Sequence, residues 1–217
     1  PEAEKQFILG RKDNKEWLIP YAAYCYLRDL FGTCDYTKWG IYAKFDKKLI
    51  NKLCDPTAEQ FDDIAIHYFI QYHLHKQLFE ATEYARANGI VLKGDIPIGV
   101  NRYGVDTWTE PAAFNMNGQA GAPPDDYAVN GQNWGFPTYN WEEMAKDDFS
   151  WWQKRLEQLS TYFDAFRIDH VLGFFRIWEI PYDAVSGLLG HFRPAVPIEK
   201  SELDSLYIDF DETRFCK

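Results

Sequence analysis

The sequence has none of the short patterns that mark metal, phosphate or disulfide chemistry. Its four cysteines, Cys25, Cys34, Cys54 and Cys216, form no CxxC pair and no zinc-like spacing. In a chain of 217 residues, such cysteines are expected to be free thiols in a reducing compartment. The five histidines form no HExxH motif, and there is no glycine-rich phosphate loop. We therefore expect no metal ion, no cofactor and a cytoplasmic location.

Positive charge and long apolar runs are also scarce. The chain has 33 acidic and 23 basic residues, which gives a net charge of -10. Nucleic-acid phosphates and anionic lipid headgroups both repel an acidic surface. No apolar run approaches the roughly 18 residues needed to cross a bilayer, and no signal-peptide pattern opens the chain. The sequence therefore predicts neither a nucleic-acid partner nor a membrane association.

Aromatic residues, in contrast, are abundant: they make up 18% of the chain and include 8 tryptophans and 14 tyrosines. Most of them fit a large core. The stretch "NGQNWGFPTYNW" (130–141), however, mixes aromatic rings with asparagine, glutamine and glycine. Such a mixture suits a sugar-binding cleft, because rings stack on the C–H faces of sugars while amides bond their hydroxyls.

The periodicity of the sequence predicts alternating helices and strands. Helices are expected over 15–32, from Thr57 to Asn88-Gly89 and over 147–163; strands over 90–100 and 163–181; a long loop over 101–139; and no clear element after 182. Thr57 with Gln60 forms a capping-box pattern, and Asn140 with Glu143 also fits a helix cap. This order predicts an α/β fold with parallel strands and right-handed crossovers. A doubly wound sheet and a barrel both fit, and both bind ligands at the carboxyl ends of their strands.

The predicted strand "FDAFRIDHVLGFFRIWEIP" (163–181) carries two charges inside an apolar run. Alternation places Arg167 and Asp169 on one face, while Phe166 and Ile168 share the other and are expected to pack under helices. The arginine is expected to keep the carboxylate of Asp169 ionised, since a nearby cation favours the charged form. Spacing alone leaves two interpretations open: a nucleophile in a sugar cleft, or a structural Arg–Asp pair.

Four motifs in order resemble one enzyme family. "GDIPIGV", "GVDTW", "GAPPDDYAVNGQNWGFPTYNWEEM" and "FRIDHVLGFFRIWEIP" are similar to the 4-α-glucanotransferases of glycoside hydrolase family 77, the amylomaltases and disproportionating enzymes. The likeness is strongest to the maltose-using, plant-cytosolic type and its bacterial relatives. It implies a TIM (β/α)8 barrel with helical and loop insertions, in which "LKGDIPIGV" is the third strand and "FDAFRIDH" the fourth.

The resemblance also implies roles for individual residues. Asp169 corresponds to the family's nucleophile, and Arg167 to the arginine of the same motif. Contacts to the glucan are implied for Asp95, Asp125, Tyr127, Trp134 and His170. The sequence departs from the family's "PPDYF" at Asp126 and Tyr127, so the aromatic lid at that position is expected to be shifted or weakened. The loop over 119–135 is expected to be mobile. The implied activity is the retaining transfer of α-1,4-glucan segments; glucan hydrolysis and non-catalytic glucan binding are the alternatives.

Two further family motifs are missing. The acid/base glutamate lies in an "EDLG"-type motif and a third aspartate in "HD", and neither motif precedes Lys217. We therefore expect residues 1–217 to be a fragment of a catalytic barrel, covering about strands two to four. A double displacement needs both carboxylates of the catalytic pair, so the fragment should be inactive. Its unpaired strand edges should also favour self-association.

Overall fold

A computed structural model describes residues 12–195 and 198–207. The first predicted helix is confirmed as α1, Lys12–Phe31, and it ends at Gly32, whose φ is +64°. The unpredicted helix α2, Lys47–Leu53, begins after Asp46, whose carboxylate accepts hydrogen bonds from the amides of Lys48 and Leu49.

The long third helix begins later than predicted. Helix α3 is Phe61–Ala87, and Asn88 caps its end as expected. Thr57 does not start it, because the Thr57 amide and hydroxyl donate to the carboxylate of Asp55 in a separate turn. The predicted capping box at Thr57 is therefore wrong.

Of the two cores among the described residues, one includes Ile96, Ile98, Val100 and Phe114. Helices α1 to α3 enclose the other. Leu18, Leu27, Trp39, Ile50 and Ile64 are almost fully buried there. This core also receives Trp108 from the short helix α4, Val105–Thr109. The helical layer is thereby joined to the chain that follows the first strand.

The predicted parallel strands are confirmed, although both are shorter than expected. Strand β1, Lys93–Ile96, pairs in parallel with β6, Ala165–Ile168, and Asp95 lies opposite Arg167. The prediction that helices cover the apolar face of β6 is wrong within the described residues, since Phe166 and Ile168 remain exposed. The described residues form an α/β fold. The sheet that contains β1 and β6 has two strands.

The segment 101–139 is not the long loop that was predicted. Strands β2, Phe114–Asn115, and β5, Thr138–Tyr139, pair with each other. Strand β3, Gly118–Ala122, lies inside a four-stranded antiparallel sheet with β4, Gln132–Asn133, at one edge. The first part of the expected loop 119–135 is therefore a buried strand, and its mobility stays a prediction.

The predicted single strand over 163–181 is in fact two strands. A 3-10 turn at Val171–Phe174 follows β6, and β7, Ile177–Pro181, pairs antiparallel with β3. Strand β8, His191–Arg193, pairs with the other side of β7. It lies after residue 182, where no clear element was predicted.

Three short helices complete the described chain: α5, Trp141–Met144; α6, Ser150–Ser160; and α7, Lys200–Ser205. The expected cap at Asn140 is confirmed, because its side chain accepts from the amide of Glu143. Cys25, Cys34 and Cys54 are free thiols, whereas Cys216 lies outside the described residues. None of the helices described here is long and apolar enough to span a membrane.

We expect the 217-residue chain to self-associate in solution, because β1 and β6 have no further strand partner among the described residues and β6 exposes apolar side chains. Light scattering coupled to size exclusion should give a mass above that of one chain. Replacing Ile168 by lysine should lower that mass, whereas replacing the equally exposed Ile66 on α3 should not. A monomer at every concentration would contradict this prediction.

Candidate active site at the carboxyl ends of two parallel strands

Three charged residues predicted from the sequence lie near the carboxyl ends of β1 and β6. A guanidinium nitrogen of Arg167 lies 2.5 Å from a carboxylate oxygen of Asp95 on the neighbouring strand. The amide of Asp169 donates to the carbonyl of Ile96, the last residue of β1, over 3.2 Å. Asp169 itself is exposed. This geometry places the carboxylates of two strands at a shared carboxyl end.

The charged partner of Arg167 differs from the predicted one, Asp169. Within the described residues, its ion pair is formed with Asp95 and not with Asp169. Register explains the difference: Arg167 lies directly opposite Asp95, whereas Asp169 lies beyond the end of β6. Directly opposed residues on neighbouring strands have adjacent Cβ atoms. Residues i and i+2 of one strand are further apart, because the strand advances by two residues between them.

The Asp95–Arg167 ion pair contributes little to folding stability. The two side chains retain 54% and 62% of their exposure, and an ion pair in water stabilises a protein by about 0–1 kcal/mol. Its effect is to hold two flexible charged side chains in a fixed position beside Asp169.

An aromatic wall stands next to this edge. The rings of His170 and Trp134 meet edge to face with centroids 5.0 Å apart, and Trp134 stacks on Phe136. A Cβ atom on Gly99 would lie 2.2 Å from the Phe136 ring, so this glycine is needed for the ring to pack there. The wall therefore rests on the chain just beyond β1.

His170 takes a backbone conformation that few non-glycine residues adopt. Its φ is +50°, in the left-handed region. The ring packs over Gly173, where an added Cβ would lie 2.9 Å from the ring and 3.0 Å from Ile98. This turn directs the imidazole toward Trp134, immediately after the exposed Asp169.

Asp125 and Tyr127 lie on a separate turn. A carboxylate oxygen of Asp125 accepts hydrogen bonds from the amides of Tyr127, at 2.9 Å, and Ala128, at 2.6 Å. The Tyr127 side chain is 99% exposed. The structure thus shows Asp125 organising the turn and Tyr127 projecting into solvent, without a described contact between either of them and Asp169.

Metal binding is not indicated by the described side chains. They contain no cluster of three histidine, cysteine, aspartate or glutamate residues that could hold an ion. His75 instead bonds the hydroxyl of Tyr162 over 2.8 Å.

Comparison with known proteins identifies the family. A sequence model of the family described as 4-alpha-glucanotransferase matches residues 1–217. This chain belongs to glycoside hydrolase family 77. It is 54% identical over 208 residues to the 4-alpha-glucanotransferase DPE2 of Oryza sativa subsp. japonica, covering 95% of this chain and 22% of that relative.

Bacterial relatives agree with this assignment. A 4-alpha-glucanotransferase of Streptococcus pneumoniae is 36% identical over 183 residues, covering 82% of this chain and 36% of the relative. The amylomaltase of Streptococcus agalactiae, solved in complex with acarbose, is 31% identical, with a TM-score of 0.79. That match covers 89% of this chain and 39% of the amylomaltase. The chain thus spans between about a fifth and two-fifths of the length of these relatives.

One residue missed by the sequence reasoning organises this family 77 site. The buried guanidinium of Arg102 donates to the carbonyls of Met116 at 2.7 Å, Gly118 at 2.5 Å and Gly135 at 3.2 Å. Its carbon also lies 4.5 Å from the ring centre of Tyr182. Since Gly135 follows Trp134 directly, Arg102 fixes the chain that carries the aromatic wall. An arginine in the otherwise uncharged "GVNRYG" was the available signal.

A buried carboxylate, that of Glu179, has a structural role in the antiparallel sheet. It accepts from the hydroxyl of Thr138 and from a guanidinium nitrogen of Arg193 at 2.8 Å. A Cβ on Gly118 would lie 2.7 Å from the Glu179 side chain, so β3 needs a glycine there. Glu179 is thus engaged away from the strand edge that carries Asp169.

Replacing Arg102 by methionine should lower the free energy of unfolding by at least about 2 kcal/mol, because several buried carbonyls would lose their donors. Lysine at this position should recover part of the loss, since one ammonium cannot reach all three carbonyls. Urea unfolding measures both variants. The matched control is Arg28→Met: the Arg28 side chain is half-exposed and paired with Asp29, so its loss should change stability by no more than about 0.5 kcal/mol. Equal effects at the two positions would contradict the role given to Arg102.

Proposed function

We propose that the protein containing these 217 residues is a 4-α-glucanotransferase, which moves α-1,4-glucan segments or glucosyl units between maltodextrins. The observation that carries the proposal is the position of Asp169, which is exposed at the end of β6 and bonded through its amide to the end of β1. The family assignment supports the choice of reaction. We infer further that residues 1–217 are part of a catalytic TIM barrel, with β1 and β6 as its third and fourth strands.

In the first step, a carboxylate oxygen of Asp169 attacks the anomeric carbon of the donor glucan. The new bond joins this oxygen to the carbon as the glycosidic bond breaks. The departing oxygen takes a proton from a second carboxylic acid. In the second step, the resulting carboxylate removes a proton from an acceptor hydroxyl, which displaces Asp169 and restores the original configuration.

The second carboxylate would come from chain outside these residues. Retaining glycosidases hold their two carboxyl groups about 5–5.5 Å apart. Glu179 is buried and bonded to Thr138 and Arg193 in the other sheet. Glu199 and Glu202 bond each other's amides in the capping box of α7. Glu212 lies beyond the described residues.

Asp95 and Arg167 are assigned to substrate and nucleophile positioning. Their ion pair leaves Asp95 more than half exposed, so a second lone pair of its carboxylate can accept from a sugar hydroxyl. Arg167 keeps the carboxylate of Asp95 turned toward the edge through their ion pair.

The aromatic wall and the exposed turn are assigned to glucan binding. Trp134 and His170 together present ring surface beside the nucleophile, and rings of this kind pack against sugar C–H groups. Tyr127 stands fully exposed on the turn that Asp125 organises, where it can fold over a bound chain. The chemistry requires no cofactor. The free thiols of Cys25, Cys34 and Cys54 support a reducing, cytoplasmic location.

Incubation of the full-length protein with maltotriose tests this proposal. Transfer should produce maltooligosaccharides longer than maltotriose, and replacing Asp169 by asparagine should reduce the rate by at least about a thousandfold, because the nucleophile is lost. Chromatography of the products measures both outcomes. Production of glucose and maltose without longer chains would identify a hydrolase instead.

The 217-residue chain alone should show no transfer in the same assay, since it lacks the second carboxylate. Transfer by this chain would contradict the proposed division of the catalytic pair.

A further inference from the structure

A cluster of positive charge stands out in this acidic protein. Between Lys38 and Lys52, five lysines accompany a single aspartate, although the whole chain has a net charge of -10. The cluster comprises Lys38, Lys44, Lys47, Lys48 and Lys52, with Asp46 as the acidic residue. It occupies the loop before α2 and the helix itself, in the helical layer rather than at the β1–β6 edge.

Three of these lysines surround an open cavity of about 640 Å³. Lys44, Lys48 and Lys52 provide its charge, and the side chains of Ile41, Phe45 and Leu49 provide its apolar wall. All six of these side chains line the cavity, and those of Lys48, Leu49 and Lys52 belong to helix α2. The volume lies within the range of about 300–1,000 Å³ typical of small-molecule sites.

The lysines of the cavity differ from several other basic residues of this chain, which form ion pairs. Lys76 has Glu80 as an ion-pair partner, Lys146 has Glu143, and Arg86 has Glu83, all at helical spacings. By contrast, no carboxylate of the described residues lies within 4.0 Å of the ammonium groups of Lys44, Lys48 and Lys52. Lys48 and Lys52 repel each other across one helical turn.

Asp46 lines the same cavity but does not neutralise it. One oxygen of its carboxylate already accepts from the amides of Lys48, at 2.8 Å, and Leu49, at 2.9 Å. It is therefore committed to starting α2. The cavity keeps an excess of positive charge that an anionic ligand would complement.

The apolar wall is held in place by the helical core. The ring of Phe45 meets Trp108 edge to face with centroids 5.1 Å apart. The indole nitrogen of Trp108 donates to the carbonyl of Tyr42 over 2.9 Å. Ile41 extends from this anchored segment with 74% of its surface exposed. A fixed ring edge and exposed aliphatic groups form a surface that can pack against a sugar.

We propose that this cavity binds a sugar carrying a phosphate monoester, either as a free sugar phosphate or as a phosphorylated glucosyl unit of a glucan. The ammonium groups of Lys44, Lys48 and Lys52 bind the phosphate through charge-assisted hydrogen bonds. The wall of Ile41, Phe45 and Leu49 contacts the sugar ring. This site lies outside the catalytic edge and does not depend on the transferase activity.

Calorimetric titration of the full-length protein with glucose 6-phosphate tests the site, with glucose and inorganic phosphate as the matched probes. Glucose 6-phosphate should bind at least about tenfold more tightly than either probe, because only it engages both the lysines and the wall. Binding should weaken at high salt, since exposed charges are screened. A phosphorylated maltodextrin, titrated in parallel, distinguishes a polymer-bound phosphate from the free sugar phosphate.

Variants of exposed lysines identify the binding residues without disturbing the core. Lys48→Ala combined with Lys52→Ala should weaken binding of glucose 6-phosphate by at least about tenfold. The control is Lys76→Ala combined with Lys146→Ala, which removes the same charge elsewhere and should leave binding unchanged. Three results would overturn the proposal: no binding of glucose 6-phosphate, equal binding of inorganic phosphate, or equal losses in the two double variants.

Discussion

The parallel pairing of β1 and β6 is the constraint on which the candidate site depends. Its register places Asp95 opposite Arg167, and the hydrogen bond from Asp169 to Ile96 continues the pairing by one step. Asp95, Arg167 and the proposed nucleophile Asp169 thereby share one carboxyl end. Because the ion pair is largely exposed, it contributes little to stability, and its consequence is the orientation of groups around the reacting position.

The antiparallel sheet and the helical layer support that edge from two sides. Arg102 joins β3 and the chain after Trp134 through three backbone carbonyls, which holds the aromatic wall against Gly99. Trp108 packs into the helical core and bonds the carbonyl of Tyr42. The chain between β1 and the wall is thus anchored in both cores, which limits how far the wall can move from Asp169.

Local patterns predicted the parts of the fold that depend on neighbours in sequence. The helix ending at Gly32, the cap at Asn140 and the parallel strands containing Asp95 and Arg167 were all expected. The other pairings between strands that are distant in sequence were not predicted, because periodicity does not specify which strand pairs with which. The region 101–139 was therefore predicted to be a loop, although β3 is buried between β4 and β7. The pairing of Arg167 with Asp95 was missed for the same reason, since it depends on register.

The central claim is that the Asp95–Arg167 pair orients the site rather than stabilising the fold. The Arg167→Gln variant of the full-length protein tests this claim most directly. Urea unfolding gives the change in stability, and disproportionation of maltotriose gives kcat/KM. We expect stability to change by less than about 1 kcal/mol, while kcat/KM falls by about a hundredfold or more, because a preorganised charge beside the proposed nucleophile is lost. An unchanged kcat/KM, or a loss of activity matched by an equal loss of stability, would contradict this account.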